Sequence, residues 1–359
     1  MARIITVYNT ERDALTRPRD MAHIRWLKIS EALARQGHVV DMASAELRLR
    51  VTGTPVPMGA NLRRVPLTRV RWEDYDVVKT LFHQGFETLT RLGGDAHPFI
   101  VAKLGSVVAP EDREGIYFYG PARDHMFAVQ RAIHHRARYI TLLSPPARTL
   151  WEETIGTHSG FLLVPGAVDD EIPPPGRDPY PAHDGLRVVF SGNLYDVQDE
   201  ATRVLSSKLN ALGALLAPHG RLYVVGPGDT SRLDRRVVTH LGSVAYRDSW
   251  DYLHHAHVGI VVSAGAFMHN NESTKIYHYL RAGLPMVSEA GFPNDHVVHE
   301  SGLGVVAPNG DMPAMAAAIV QASRHPWDRD GAVRYIRQHH TWDVRAATYR
   351  QMLARHFPA

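Results

Sequence analysis

Short apolar, β-branched runs alternate along the chain with amphipathic segments of helical period. The first apolar run covers 4–8, and apolar residues at helical spacing follow over 21–36, ahead of Gly37 and a second run at 39–43. This order is typical of parallel sheets that are covered by helices. It predicts further strands at 62–65, 76–79, 99–103, 139–143 and 161–164, and helices near 86–92, 125–135 and 146–155.

A polar, proline-rich stretch over 169–185 interrupts this pattern, and its prolines disfavour regular structure. Strands are then predicted at 186–191, 221–225, 238–241, 258–262 and 285–288, with helices near 201–216, 249–255, 274–282 and 312–323. We expect four parts in chain order: a first domain over 1–168, a linker over 169–185, a second domain over 186–335 and a final segment over 336–359. The last helix is expected to pack back toward the first domain.

The predicted fold class is α/β, with two doubly wound, Rossmann-like domains. Ligands of open parallel sheets bind beyond the carboxyl ends of the strands. Two such sheets facing a central cleft would provide two half-sites, which indicates two substrates.

The amino-acid composition excludes several classes of chemistry and of partner. The 359 residues are 44% hydrophobic and 21% charged, as in a folded globular protein. The formal charge of +3 from 40 basic and 37 acidic residues gives no nucleic-acid signature, so no nucleic-acid partner is expected. The absence of cysteine excludes disulfides, thiolate zinc sites and cysteine nucleophiles. Neither a secretion signal nor a membrane span is found in the sequence, and we expect a cytoplasmic protein.

The stretch 273–288 carries the clearest chemical signal. Ser273 or Thr274 is expected to cap a helix whose first turn contains Lys275, where the helix dipole disfavours a cation. A diphosphate at this helix end would compensate that charge. His278 lies on the same face, three residues further. The alternative is a solvated lysine and a polar histidine on an exposed face.

Two glycine turns follow predicted strands of the second domain. Gly192 and Asn193 follow the first strand, and Gly226 and Gly228 follow the second. Glycine lets a backbone approach a phosphate or a base closely. Such turns are also ordinary strand exits.

Together with 289–293 and 302–311, this stretch resembles the nucleotide-sugar half of GT-B glycosyltransferases. Ala290 replaces the first glycine of the usual loop. His278 stands where the retaining family-4 type usually has a glutamate that binds the ribose. Lysine at position 275 with a non-acidic residue at 278 is similar to the bacterial xanthan-type glucuronosyltransferases, as is the loop 16–19 before a helix that contains Ala22, His23 and Ile24.

The resemblance implies a GT-B glycosyltransferase that moves a sugar from a nucleotide diphosphate donor, a UDP-sugar, to a saccharide. A lipid-linked acceptor in bacterial surface polysaccharide synthesis is expected. Its donor-binding residues would be Gly192, Asn193, Gly226, Gly228, Thr274, Lys275 and His278. Such enzymes usually need no metal, so neither cofactor nor metal is expected. Two alternatives remain open: a nucleotide-sugar 2-epimerase and an inactive nucleotide-sugar-binding partner subunit.

Catalytic groups are sought in the first domain. An inverting transferase needs a general base, and the acidic loop 111–114 offers Asp112 and Glu111. His83 is a third candidate, while Arg17 and Arg19 are expected to bind the acceptor or the sugar, including a uronate carboxylate. The alternative for the acidic loop is simple solvation. A retaining enzyme would need no base, so the stereochemistry stays open.

Six arginines lie between Leu47 and Trp72 with no acidic residue among them. They are Arg48, Arg50, Arg63, Arg64, Arg69 and Arg71. This basic stretch is a candidate for peripheral contact with anionic lipids or for binding an acceptor's lipid diphosphate. A solvated basic loop is the alternative. The 22 histidines show no convincing third ligand at metal-site spacing.

Overall fold

The computed structural model describes residues 1–8, 18, 20–109, 120–195, 200–265, 268 and 270–358. The strands are β1 (Arg3–Val7), β2 (Val39–Ser44), β3 (Val56–Gly59), β4 (Leu62–Pro66), β5 (Val77–Leu81), β6 (Ile100–Lys103), β7 (Tyr139–Leu142), β8 (Phe161–Leu163), β9 (Leu186–Ser191), β10 (Gly220–Val225), β11 (Val238–His240), β12 (Val258–Val261), β13 (Met286–Glu289) and β14 (Gly304–Ala307). The helices are α1 (Met21–Arg35), α2 (Leu47–Thr52), α3 (Phe82–Arg91), α4 (Gly120–Arg136), α5 (Pro145–Thr154), α6 (Glu200–Leu216), α7 (Tyr246–His255), α8 (Thr274–Arg281), α9 (Asp295–Ser301), α10 (Met312–Arg324), α11 (Arg329–His339) and α12 (Trp342–Ala354).

The chain divides into two compact units. Unit 1 contains residues 1–165 and 342–359, and unit 2 contains residues 166–341. The sequence predicted the corresponding boundaries after residues 168 and 335. The last helix, α12, belongs to unit 1, where it packs against α1.

Unit 1 is built on a sheet with the strand order β3-β4-β2-β1-β5-β6-β7-β8. All its neighbouring strands are parallel except β3, which is antiparallel to β4. After β1 the chain adds β2 on one side and later adds β5 on the other. The switch point of this sheet therefore lies between β1 and β5. Ile5, Val78 and Trp151 are fully buried in a core on one face of the sheet.

Unit 2 contains a parallel sheet with the order β11-β10-β9-β12-β13-β14. Its switch point lies between β9 and β12 by the same reasoning. Tyr223, Trp250 and Ile336 belong to its core. The segment 169–185 contains neither strand nor helix. It packs on unit 2, since the Tyr180 hydroxyl donates to the Tyr252 carbonyl oxygen at 2.8 Å.

The predicted class, α/β with two doubly wound, Rossmann-like domains, is confirmed. The stretch between β2 and β4, for which a solvated basic loop was the alternative, is not a simple loop, because α2 and β3 occupy it. Leu49 is buried on one side of α2. A turn at Asn61, which has φ of 59°, reverses the chain after β3, so that β4 runs antiparallel to β3. Among the described helices, none is both long enough and apolar enough to cross a membrane.

Candidate functional site

The switch point of unit 2 carries the first pair of predicted site residues. Gly192 and Asn193 follow the carboxyl end of β9. The described register between β9 and β12 ends at Val189 and Gly259, so the two strands separate toward this edge. Crevices of this kind are where open parallel sheets bind ligands.

The glycine turns after β9 and β10 touch each other. A Cβ on Gly226 would overlap the carbonyl oxygen of Gly192, and Gly226 has φ of 147°, which glycine adopts without strain. A Cβ on Gly228 would lie 2.8 Å from the backbone nitrogen of Leu194. Three predicted glycines thus form one compact backbone surface at the carboxyl edge of the sheet.

Lys275 reaches from the first turn of α8 to this surface. Its ammonium lies 4.8 Å from the centroid of the Phe190 ring. A Cβ on Gly192 would lie 2.8 Å from Lys275 Nζ, so the missing side chain makes room for the lysine. Lysine and helix dipole both present positive charge here, an arrangement that an anionic ligand would stabilise.

A buried asparagine holds the residue before α8. Asn294 accepts a hydrogen bond from the Ser273 N–H at 3.1 Å and donates to the Ser273 carbonyl oxygen at 3.0 Å. The expected side-chain cap is wrong: among the described residues neither Ser273 nor Thr274 caps α8 with its side chain, because the asparagine fixes the Ser273 backbone instead. The buried Ser273 Oγ has no hydrogen-bond partner in the described part of the chain. This hydroxyl leaves a polar group beside the helix start for a ligand.

His278 is buried rather than exposed, which excludes the alternative of a polar residue on a solvated face. Its Nδ1 donates to the Thr274 carbonyl oxygen at 2.7 Å, and its Nε2 lies 3.2 Å from the Tyr246 hydroxyl. The ring stacks on Trp250 at a centroid distance of 5.4 Å. These contacts fix the orientation of the imidazole, and its role at a ribose stays a prediction.

A buried carboxylate organises the neighbouring loops. Glu289, at the end of β13, is fully buried. It accepts hydrogen bonds from Lys208 Nζ at 2.8 Å and 2.9 Å, from the Ser263 N–H at 2.5 Å and from the Gly310 N–H at 2.9 Å. Because Ser263 follows β12, this carboxylate positions the loop on the second side of the switch point.

Residues 185–325 match the protein-family model described as Glycosyl transferases group 1. This stretch is called the group 1 domain below. It contains the glycine turns, Lys275 and Glu289. No curated protein matches the chain.

Solved structures resemble the whole chain. The sucrose-phosphate synthase of Thermosynechococcus elongatus is 17% identical, with a TM-score of 0.71 over 98% of this chain and 100% of that one. Anabaena Alr3699/HepE in complex with UDP is 12% identical, with a TM-score of 0.67 over 98% and 100%. WaaG, a glycosyltransferase involved in lipopolysaccharide biosynthesis, is 13% identical, with a TM-score of 0.61 over 97% and 98%. HepE has also been solved with UDP-glucose. At these identities the likeness establishes the fold, and the fold is GT-B.

Outside the group 1 domain, the switch point of unit 1 is lined by aromatic residues. Tyr8 follows β1 and Phe82 follows β5, and their ring centroids lie 5.7 Å apart. His83 is buried, and its Nε2 lies 3.0 Å from Gln130 Oε1. Burial lowers the pKa of His83, which favours the neutral imidazole. Its catalytic role stays a prediction.

Four of the predicted first-domain residues, Arg17, Arg19, Glu111 and Asp112, lie outside the described residues. Within the described ranges, no three His, Asp or Glu side chains are grouped as metal ligands.

Carboxylates from elsewhere in the chain neutralise part of the basic stretch. Arg63 pairs with the fully buried Asp41 through two hydrogen bonds of 2.7 Å and 2.8 Å. Arg64 pairs with the buried Glu46 at 2.5 Å. The ion pair of Arg71 with Glu73 is exposed. Arg48 and Arg50 project from α2 into solvent, and the Arg69 guanidinium lies against Gly53.

Sequence reasoning missed two groups at these edges. Glu289 was seen only as part of a motif, since its partners are distant in sequence. Asp20 and His23, at the start of α1, form a hydrogen-bonded pair beside Tyr8. Their spacing of three residues across a helix start is the signal that would have revealed them.

Proposed function

We propose that this chain is a glycosyltransferase that moves a sugar from a UDP-sugar to a saccharide acceptor. The observation that carries the proposal is the convergence of Lys275, the start of α8 and the turns at Gly192 and Gly226 on one edge of the group 1 domain. This arrangement suits a diphosphate, because a helix dipole and a lysine converge where glycines without side chains let an anion approach. HepE, solved with UDP and UDP-glucose, supports UDP as the nucleotide.

In this function, the group 1 domain stabilises the leaving group. As the bond between the sugar and the diphosphate breaks, negative charge grows on UDP and is met by Lys275 and the α8 N-terminus. Asn193, Gly228 and Thr274 complete the donor-binding set. His278 lies in the same helix, and a place for it at the ribose would require its Nε2 to exchange the Tyr246 hydroxyl for a ribose hydroxyl. No metal or cofactor takes part.

Unit 1 provides the acceptor side. Arg17 and Arg19 bind the acceptor or the transferred sugar, and a glucuronate carboxylate on the donor would pair with them. Asp112, Glu111 and His83 are the candidate catalytic groups from the sequence. The acceptor is lipid-linked, and the product belongs to a bacterial surface polysaccharide. The resemblance to xanthan-type glucuronosyltransferases supports these finer points.

The short helix α2 supplies a peripheral membrane contact for such an acceptor at the cytoplasmic face. Leu47 and Val51 are 73% and 72% exposed, one helical turn apart, and Arg48 and Arg50 are exposed beside them. Apolar side chains flanked by arginines suit an anionic lipid surface. Arg63, Arg64 and Arg71 add less because carboxylates neutralise them.

Calorimetry tests the donor site. Wild type is expected to bind UDP in preference to GDP and dTDP, with no added metal and unchanged by EDTA, and Lys275→Ala is expected to weaken binding at least tenfold. Lys28→Ala, at a partly exposed lysine of α1 that pairs with Glu31, is the matched control and should bind UDP as wild type does. The proposal is contradicted if wild type binds no nucleotide, or if Lys275→Ala binds UDP with the affinity of wild type.

Product analysis with UDP-glucose or UDP-glucuronate then defines the reaction. A glycosyltransferase yields UDP and a glycosylated acceptor. An isomeric sugar nucleotide formed without acceptor would instead indicate a 2-epimerase. Nucleotide binding without any turnover would indicate a binding subunit.

Vesicle sedimentation tests the membrane contact. Binding to phosphatidylglycerol vesicles is expected to fall when Leu47 and Val51 are both replaced by serine. Leu215→Ser, on α6 and 42% exposed, is the matched control. Equal binding by both variants would argue against α2 as the contact.

A further inference from the structure

A cavity in unit 1, called the arginine cavity below, lies beside β2 and β4 and has a volume of about 250 Å³. Its charged lining residues are Arg3, Arg63, Arg69, Arg71, Asp41 and Asp74. Four guanidinium groups face two carboxylates, so the lining carries a formal charge of +2. Because a water molecule takes about 30 Å³ of liquid, the cavity has room for several waters or for one phosphate group.

A fully buried carboxylate organises the floor of the arginine cavity. Asp41 accepts two hydrogen bonds from Arg63, at 2.7 Å and 2.8 Å, and one from the Tyr75 hydroxyl at 2.9 Å. Arg3 Nη2 lies 3.7 Å from Asp41 Oδ2, and the Arg3 guanidinium lies 4.8 Å from the centroid of the Tyr75 ring. Both arginines stay partly exposed. One carboxylate therefore holds two guanidinium groups in place, and one positive charge remains unmatched.

Arg69 adds a third guanidinium to the wall of the cavity. This group lies against the α-carbon of Gly53, where a Cβ would overlap it. Gly53 has φ of 66° and ends α2 in the left-handed conformation that glycine adopts readily. Arg71 pairs with Glu73 at 3.1 Å and is also attracted by Asp74. Within the described ranges no carboxylate pairs with Arg69, so its charge is available to an anion.

The arginine cavity adjoins the apolar side chains of α2. Gly53, which lines the cavity, follows Val51 by two residues, and both Val51 and Leu47 are strongly exposed. An exposed apolar pair beside a cationic cavity suits a ligand that has both a hydrocarbon part and an anionic group. A membrane lipid has both parts, whereas a free phosphate has only the second.

The guanidinium groups favour a phosphate monoester over a phosphate diester. Arginine binds phosphate best through paired N–H donors that meet two oxygens. A monoester presents three free oxygens and about −1.5 to −2 charges at neutral pH, while a diester presents two free oxygens and one charge. Arg3, Arg63 and Arg69 together with Asp41 carry a formal charge of +2, which complements the monoester.

We propose that the arginine cavity binds the phosphate monoester headgroup of an anionic membrane lipid while α2 rests on the lipid surface. This inference rests on the proposed membrane contact of α2 and names the lipid chemistry that the contact recognises. Arg69 and Arg3 donate to the phosphate oxygens, and Arg63 adds its Nη1 group while its Nε and Nη2 stay on Asp41. No bond is made or broken, since the site only holds unit 1 at the membrane.

Vesicle sedimentation of the full chain tests the preference for a monoester. Phosphatidic acid and phosphatidylglycerol are compared in phosphatidylcholine vesicles of equal surface potential. Wild type is expected to bind phosphatidic acid vesicles about tenfold more tightly or better, because one charge-assisted hydrogen bond contributes roughly that factor. Arg69→Gln should remove most of this preference and leave calorimetric UDP binding unchanged.

Arg48→Gln is the matched control. It removes the same charge from the exposed surface of α2, outside the lining of the cavity. Binding to both kinds of vesicle should weaken equally, because an unspecific attraction to anionic lipid depends on charge alone. The preference for phosphatidic acid should therefore persist in Arg48→Gln and disappear in Arg69→Gln.

Glycerol 3-phosphate distinguishes a lipid from a soluble ligand. It carries the same phosphate monoester without a hydrocarbon chain, and calorimetry should show binding at least tenfold weaker than that of phosphatidic acid vesicles, or none. Binding as tight as that of the vesicles, and lost in Arg69→Gln, would assign the cavity to a soluble phosphate and overturn the lipid proposal.

The remaining outcomes separate this inference from the function on which it rests. If wild type binds both kinds of vesicle equally, or if Arg69→Gln keeps the preference, the cavity is not the lipid site and the contact through α2 stands. Binding to neither kind of vesicle overturns the α2 contact and the lipid site together. UDP calorimetry on the same preparations reports on the glycosyltransferase proposal independently of every vesicle result.

Discussion

The hydroxyl of Tyr279 accepts a hydrogen bond from the backbone N–H of Ser191 at 2.9 Å. Tyr279 lies on α8, and Ser191 ends β9 immediately before the Gly192 turn. The ring passes over Gly259, where a Cβ would lie 2.6 Å from Tyr279 Cδ2. One side chain thus fixes α8, with Lys275, to the strand end where the nucleotide is proposed to bind.

Tyr279→Phe should destabilise unit 2 and loosen this attachment. The variant removes the hydroxyl and leaves the Ser191 N–H unpaired next to the site, at a cost of about 1–3 kcal/mol in unfolding free energy. Tyr223→Phe is the control, because its hydroxyl makes no hydrogen bond among the described residues. Denaturant melts and UDP calorimetry measure both effects. Equal stability of the two variants would contradict the role of the hydroxyl.

Gly192→Ala should weaken UDP binding more than it lowers stability. Gly192 has no positive φ, so alanine fits its backbone, but the new Cβ meets the Lys275 ammonium and must displace it. We expect a loss of about tenfold or more in affinity, equivalent to about 1.4 kcal/mol. Gly59→Ala, at an exposed glycine with open space around it, is the control. Calorimetry of the two variants should differ clearly, and unaltered UDP affinity in Gly192→Ala would refute the proposed placement of Lys275.

Glu289→Gln should strongly destabilise unit 2. Glu289 is the fully buried partner of Lys208 and of two backbone N–H groups, and glutamine would leave that cation without its counter-charge. Breaking a buried ion pair costs about 3–5 kcal/mol. Glu200→Gln, in an exposed pair with Arg203, should change the unfolding free energy by less than about 1 kcal/mol. Similar melting curves for both variants would show that the buried pair contributes little.

Lys79 should make the stability of unit 1 depend on pH. It is fully buried on β5 with its ammonium 5.0 Å from the Tyr349 ring, and in the described residues Nζ has no hydrogen-bond partner. Burial lowers the pKa of Lys79 from its ordinary value of 10.5 to about 7. Between these values the unfolded chain binds more protons than the folded chain, so stability rises with pH. Below pH 7 Lys79 is charged in both the folded and the unfolded chain, so the folded state carries the full free-energy cost of burying that charge.

Lys79→Met should therefore stabilise unit 1 at pH 6 by about 3–5 kcal/mol and remove the gain between pH 7 and pH 10. Lys28→Met, at a partly exposed lysine of α1 that pairs with Glu31, should keep the wild-type rise in stability between pH 7 and pH 10. Denaturant melts across this pH range measure the effect. A wild type whose stability does not rise with pH would argue against a charged, buried Lys79.

The sequence by itself determined the order of most strands and helices and the two-domain α/β class, and it predicted the residues of the candidate donor site. Hydrophobic periodicity is local, so a strand such as β9 and the glycines that follow it are readable from neighbouring residues. The position of Lys275 in a first helical turn is equally local. Parallel topology then predicts that strand ends gather at one edge, which is where Gly192, Gly226 and Lys275 meet.

Only the tertiary structure decided which charges are matched and which polar groups are buried. The basic stretch contains no acidic residue of its own, yet Asp41 from β2 neutralises Arg63 across the sheet. Glu289 meets Lys208 from a helix 81 positions away in sequence, and the isolation of Lys79 under α12 depends on a helix that ends the chain. These relationships arise between segments that are far apart in sequence, and burial sets their electrostatic strength because it removes water. Neither distance nor burial is encoded in a local pattern of residues.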